Sequence, residues 1–415
     1  MALWSVTAAF GAYFCMYAFR KPFTSAGFAS GTVFGLPEKT VLVVAQVLGY
    51  TLSKFIGIKV IAEMTSKGRA LGILILIGSA EVALLLFGFL PAPLHVFALF
   101  LNGVPLGMVF GLVLAYLEGR KHTEALAAGL CASFIIADGQ TKSVGTWLLG
   151  LGVSERWMPA AAGALFLPAL LLFVWMLTRI PPPDDHDIER RAERLPMDGP
   201  TRAAFLKKYA FGLIPITIAY LAVTIVRSIR ADFAPEIWKG LGVEVVPETF
   251  TYSEIFVAAG VLLTSGLSIL IVDNRKAFFV SLGVCGFGAL LMCGTLLGLS
   301  FGRIDAFTFM VLVGLGLYFP YAAVHTTVFE RLIAMTREPG NLGFLLYLTD
   351  AVGYLGYVAI LLGKGFLASR GGFLAFFQVV CWITGVIAAG CFLTCAAAFA
   401  RRRAAAPIVE ATGEA

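Results

Sequence analysis

The sequence encodes an all-α membrane protein of twelve transmembrane helices in two six-helix repeats. Three observations carry this reading. The 415 residues are 59% hydrophobic and 13% charged, with a mean hydropathy of +0.89. That is more apolar surface than a soluble domain can hide. The apolar residues fall into runs of the ~20 that a bilayer core requires. Polar residues inside those runs recur at a fixed offset between the halves.

The expected spans are 4–28, 38–62, 69–90, 94–117, 125–150, 157–179, 208–233, 251–272, 277–299, 305–333, 341–367 and 372–399. The first opens with the apolar run Trp4–Phe19, meets Arg20 and Lys21, and continues to Phe34. It lacks the basic leading region of a secretory signal, and its charges follow the apolar run. In the second span, Lys59 and Glu63 lie near the inner end and can snorkel. The third carries an isolated acid, Glu81. In the fourth, Gly103, Gly107 and Gly111 put small residues on one face, as close helix packing requires. The fifth carries Asp138 and Lys142, at i and i+4 on one face. Pro181 to Pro183 stop the sixth, and a mixed-charge linker follows. The seventh holds Arg227, with Arg230 and Asp232 just beyond. The tenth carries Tyr318 and His325, and the eleventh Asp350 and Tyr354. The expected units are a bundle over 1–180, a cytoplasmic linker over 181–207, a second bundle over 208–400 and a tail over 401–415.

Orientation follows from charge. With the N-terminus inside, inner loops hold Lys67, Arg69, Arg120, Lys121, Arg275, Lys276, Arg337, the basic residues of the linker and Arg401 to Arg403. Outer loops hold only Arg156, Lys239, Arg303 and Arg370. The positive-inside rule then puts both termini in the cytoplasm. The net charge of +6 is thus a topology signal, with no nucleic-acid partner implied. Seven cysteines all fall inside spans and read as small packing residues. Four histidines form no cluster, so no metal is expected. Nothing resembles a phosphate-cradling loop, a nucleophile elbow or a catalytic dyad, so neither enzyme nor cofactor is expected.

The halves repeat. Span four ends with Glu118 and Arg120, span ten with Glu330 and Arg331; Asp138 of span five answers Asp350 of span eleven. Both acidic pairs are separated by 212 residues, and Arg20 and Arg227 by 207. Two parallel six-helix repeats, with a site between them at the midplane, are the architecture of major facilitator transporters.

The residues also carry a family resemblance. Span one reads Tyr13-x3-Tyr17-x2-Arg20-Lys21-x-Phe23, and span two Tyr50-x2-Ser53-Lys54-Phe55. Span seven adds Arg227-x4-Asp232-Phe233-x-Pro235, and span eleven Gly353-Tyr354-Leu355-Gly356. These resemble the organophosphate:phosphate antiporters, the bacterial glycerol-3-phosphate and hexose-phosphate carriers. The chain resembles still more closely a set of bacterial twelve-span proteins of unknown function. The antiporter resemblance implies that Arg20 and Arg227 bind substrate phosphate, with Tyr13, Tyr17, Tyr50, Lys54 and Tyr354 about the same cavity. It also implies the bacterial inner membrane. One departure stands out: where the glycerol-3-phosphate carriers place a histidine in span five, this chain has Ala137-Asp138-Gly139-Gln140-Thr141-Lys142.

An arginine at the centre of a span costs between ~3 and ~17 kcal/mol, so two of them, one in each half, point to an anion. A guanidinium meets two oxygens at once and stays charged. The expected partners are therefore a small anionic solute and the lipid bilayer, with the protein a monomer. Gating or proton-coupling candidates are Asp138, Lys142, Asp350, His325 and Arg230. Asp138 and Lys142 read first as a buried structural pair and second as a gate, and His325 reads first as a hydrogen-bonded packing residue. Three functions remain open: an organophosphate/phosphate exchanger, a proton-coupled symporter of a carboxylate or sugar acid, and a transport-deficient ligand sensor.

Overall fold

The computed structural model describes residues 2–28, 31–64, 66–117, 123–181, 199–336, 342–367 and 372–401. Helices occupy every expected span. In the N-terminal half they are α1 (Ala2–Tyr17), α2 (Glu38–Glu63), α3 (Ser66–Phe89), α4 (Leu94–Leu114), α5 (Thr123–Gly150) and α6 (Met158–Thr178). In the C-terminal half they are α7 (Gly199–Asp232), the short α8 (Ala234–Gly240), α9 (Pro247–Ile269), α10 (Asn274–Ser300), α11 (Ala306–Ala323), α12 (Phe329–Thr336), α13 (Leu342–Leu367) and α14 (Gly372–Ala400). A π-helical turn over Val324–Val328 joins α11 to α12, so the two make one span. The protein is an all-α multi-pass membrane protein with the major facilitator fold.

Three boundaries differ from those expected. Span one is not one helix to residue 28: α1 ends at Tyr17. The amides of Ala18, Phe19 and Arg20 turn back three residues, to Cys15, Met16 and Tyr17, at 3.0–3.1 Å. Pro22 lacks an amide donor and opens a separate 3₁₀ turn, Pro22–Ser25, so Arg20 and Lys21 sit in a break. In span seven, α7 begins at Gly199, so the end of the expected linker is helical. Finally, α8 is an extra turn after the seventh span, with Pro235 in its first turn. Glu118, Arg120, linker residues 182–198 and residues 402–415 lie outside the described residues.

The N-terminal half packs α1 on α5 and α6, and α4 on α2 and α3; the C-terminal half packs α7 on α13 and α14, and α11 on α9 and α10. The seam between α2 and α4 is close because it is made of glycine. A Cβ at Gly103 would lie 2.1 Å from the Gln46 carbonyl, and one at Gly49 2.1 Å from that of Phe100. Between the halves, α5 lies on α9 and α2 on α13. At the first of these contacts, a Cβ at Gly139 would be 2.6 Å from the Phe250 carbonyl. The Ser143 hydroxyl donates to the Pro247 carbonyl beside it.

The break after α1 is clamped by side-chain amides. Asn102 Nδ2 donates to the carbonyls of Phe19 and Ala80, each at 3.0 Å. Gln46 Nε2 donates to the Arg20 carbonyl at 3.0 Å and to Asn102 Oδ1 at 2.7 Å. Backbone groups released by the break thus find partners in the bundle, as buried carbonyls must.

Candidate functional site

Arg20 lies on the inner wall of the N-terminal half and Arg227 on that of the C-terminal half. They are only 5% and 6% exposed. The Arg20 guanidinium stacks on Tyr50 of α2, 3.8 Å from the ring centroid. The Tyr50 ring meets that of Tyr354 from α13 edge-on, at 5.2 Å. Arg227 Nη2 donates to the Tyr354 hydroxyl at 3.4 Å, and its guanidinium stacks on Tyr321 at 4.3 Å. Two rings therefore connect the two arginines across the interface. Tyr13 and Tyr17 are buried on the same side of α1, with rings 5.6 Å apart.

Neither guanidinium has a carboxylate partner among the described residues, and the Nε–H of each lacks a hydrogen-bond acceptor. Every other buried cation described has one. Lys21 pairs with Asp232, Lys39 with Glu236, Lys54 with Asp350, Lys142 with Asp138 and Arg230 with Glu254. Among the described residues, five of these seven buried Lys and Arg side chains thus have a carboxylate partner, and the two central guanidiniums have none. An uncompensated buried charge is costly, and cation–π contact of about 2 kcal/mol offsets only part of that cost.

Two charged layers flank the arginines. On the expected inner side, Lys54 Nζ of α2 reaches Asp350 Oδ2 of α13 at 2.9 Å. The Tyr220 hydroxyl of α7 donates to Asp350 Oδ1, and His325 Nε2 lies 3.7 Å from the same oxygen. His325 Nδ1 contacts the Tyr321 carbonyl at 3.1 Å within the π turn, an irregularity frequent at functional sites. On the expected outer side, Lys21 bridges to Asp232 of the other half and lies 3.7 Å from Asp138. The Tyr357 hydroxyl donates to Asp232 Oδ2 at 2.9 Å. Further out, Lys39 of α2 meets Glu236 of α8 at 2.5 Å.

Several of the expected site residues have close partners in the structure. Lys54 faces the centre but is bound to Asp350, so it adds no free charge there. Arg230 has its partners within one half. It pairs with Glu254 at 2.8 Å and donates to the Met310 carbonyl at 3.0 Å, both within the C-terminal half. Asp138 and Lys142 do pair along one face of α5. Lys21, Tyr220, Tyr321 and Tyr357 were not singled out as partners from the sequence. Helical spacing carried the signal: Tyr220 and Arg227 are seven apart, and Asp350, Tyr354 and Tyr357 fall at i, i+4 and i+7.

Residues 22–402 match a family described as of unknown function, DUF5690. The chain belongs to that family. No protein with a curated description matches it. Among solved structures, it is similar to a D-xylose–proton symporter, with a TM-score of 0.61, 16% identity and coverage of 95% of this chain and 96% of that one. At that identity the likeness speaks for the fold. Neither match bears on the antiporter resemblance of the motifs.

Proposed function

We propose that the protein is a secondary active transporter that moves a small organic anion by alternating access, exchanging an organophosphate for inorganic phosphate. One observation carries this reading: each half contributes one buried guanidinium that no carboxylate neutralises. A phosphate monoester bears about two negative charges near neutral pH and offers three acceptor oxygens, which suits two planar forks. At an effective dielectric of about 20, each charge pair at 4 Å is worth roughly 4 kcal/mol. The anion also removes the repulsion between the arginines, so binding favours drawing the halves together. An empty carrier closes less readily, and that bias favours exchange. We place the protein in a bacterial inner membrane, as a monomer with both termini inside.

Purified protein screened against a panel of anions by thermal shift tests the site. Phosphate or a phosphate monoester should stabilise the wild type and fail to stabilise Arg20→Lys and Arg227→Lys, which keep the charge and lose the fork. Equal stabilisation of all three proteins would overturn the reading.

A second reading is proton-coupled symport of a carboxylate or sugar acid. The cluster of Lys54, Asp350, His325 and Tyr220 favours it, because a carboxylate that changes partners can carry a proton. The fold of a D-xylose–proton symporter is compatible with it. Flux into proteoliposomes separates the two. Uptake abolished without internal phosphate supports exchange, and uptake driven by a pH gradient alone supports symport. Binding without any flux would instead identify a sensor.

A further inference from the structure

Glu81, two-thirds of the way along α3, lies in none of the layers described above. Its Oε2 is enclosed and has no hydrogen-bond partner among the described residues. The space it fills belongs to α6: a Cβ at Gly163 would lie 2.3 Å from that oxygen and 3.0 Å from the Phe19 ring. Among the described residues, no cation pairs with it from the helices packed against α3. Helix α6, Met158–Thr178, contains no titratable residue. Helix α4 contains only His95, and its Nε2 lies 2.8 Å from Glu38 Oε1. In the break after α1, Arg20 stacks on Tyr50 and Lys21 is bound to Asp232. Arg69, at the other end of α3, donates to the Ala115 carbonyl at 2.9 Å. Glu81 is half-buried, but a charge on its enclosed oxygen would have no counter-ion among these elements, so a bound proton relieves the cost of enclosing it.

The position of this acid gives the proton a consequence. Its neighbour Ala80 is tied by Asn102 to the Phe19 carbonyl, and Gln46 ties Asn102 to the Arg20 carbonyl. The seam that encloses Glu81 Oε2 is thus continuous with the clamp that holds Arg20. We propose that Glu81 is a proton-binding site whose occupancy controls the turn bearing Arg20. Loss of the proton would place a bare charge between α3, α6 and Phe19. The seam would then open to water, and the clamp on the break would loosen. The proton site stands on the geometry alone; its coupling to flux rests on the transporter reading.

Dicyclohexylcarbodiimide, which reacts with protonated carboxyls in apolar surroundings, tests the site on the full-length wild-type protein. After treatment in mildly acidic and mildly alkaline buffer, peptide mass mapping should place the adduct on Glu81, with a higher yield in acid. The ion-paired Asp138, Asp232, Glu254 and Asp350 should stay unmodified, and Glu81→Gln should give no adduct. Absence of a Glu81 adduct in both buffers, or equal yield in the two, would overturn the proton site. For coupling, proteoliposomes loaded with inorganic phosphate would be assayed with external glycerol 3-phosphate. Glu81→Gln should retain exchange at equal pH and lose the response to a pH gradient. A gradient response unchanged in Glu81→Gln would overturn the coupling. If the wild type carries neither solute, the transporter reading fails and the adduct result still decides the proton site.

Discussion

Arg20 and Arg227 are stacked on rings where every other buried cation described is paired with an acid, and this difference sets the residue-scale expectations. Lysine at either position loses the planar fork. Each replacement should weaken phosphate binding by about 1.5–3 kcal/mol, the worth of a hydrogen bond to a charged group, or roughly tenfold to a hundredfold by titration calorimetry. Tyr50→Phe keeps the ring under Arg20 and should bind almost as the wild type does. Tyr50→Ala removes the ring and should bind at least several-fold more weakly. Much of this chemistry was legible in the chain. Two arginines in apolar runs stand out because the bilayer makes them expensive, and Asp138 with Lys142 is visible as an i, i+4 pair. The cross-half partnerships were harder to read. Nothing local to Lys21 points to Asp232, 211 residues away, because that pairing is made only when the halves assemble.

At the scale of single elements, the break in the first span is the instructive case. Hydropathy runs almost unbroken through it, so an apolar count extends the helix to residue 28. The termination is decided by the backbone instead, by a proline directly after two charged residues and by the two amide side chains that receive the freed carbonyls. Asn102→Leu should therefore leave the Phe19 carbonyl without a buried partner and take one hydrogen bond each from the Ala80 carbonyl and the Gln46 amide. We expect a loss of about 1–3 kcal/mol for the orphaned group, seen as a lowered melting temperature, together with weaker phosphate-induced stabilisation. The seam between α2 and α4 is a second such element. Gly103→Val would drive a side chain into the Gln46 carbonyl and the Tyr50 amide, at 2.1 and 2.8 Å even for the Cβ alone. Overpacking of this kind costs about 1–3 kcal/mol or more. Here it would also displace the helix that carries Tyr50 and Lys54.

At the scale of the whole molecule, the pairs that cross between halves hold the present arrangement. Lys54→Met should destabilise the protein by about 3–5 kcal/mol, because Asp350 would stay buried without its cation. Lys54→Met with Asp350→Leu should recover most of that loss in the same melting experiment, since it removes both charges. The twelve-span layout and its repeat were readable from apolar run length and from two acidic pairs at one offset. What could not be read was which faces of the two bundles touch, since lipid-facing and partner-facing apolar surfaces look alike in sequence.

Gly139 lies almost against the Phe250 carbonyl, and Ser143 grips Pro247 one turn further along. With no side chain on Gly139, the α5 backbone rests directly on the Phe250 carbonyl and the Glu254 side chain of α9, a close contact that resists sliding more than rolling. Under the alternating access proposed above, the contact would serve as a fulcrum: when one mouth of the protein widens, the other narrows. Paired spin labels at the two ends of this crossing should report distance changes of opposite sign whenever a ligand shifts the resting state, and a bulky residue at position 139 should jam the see-saw.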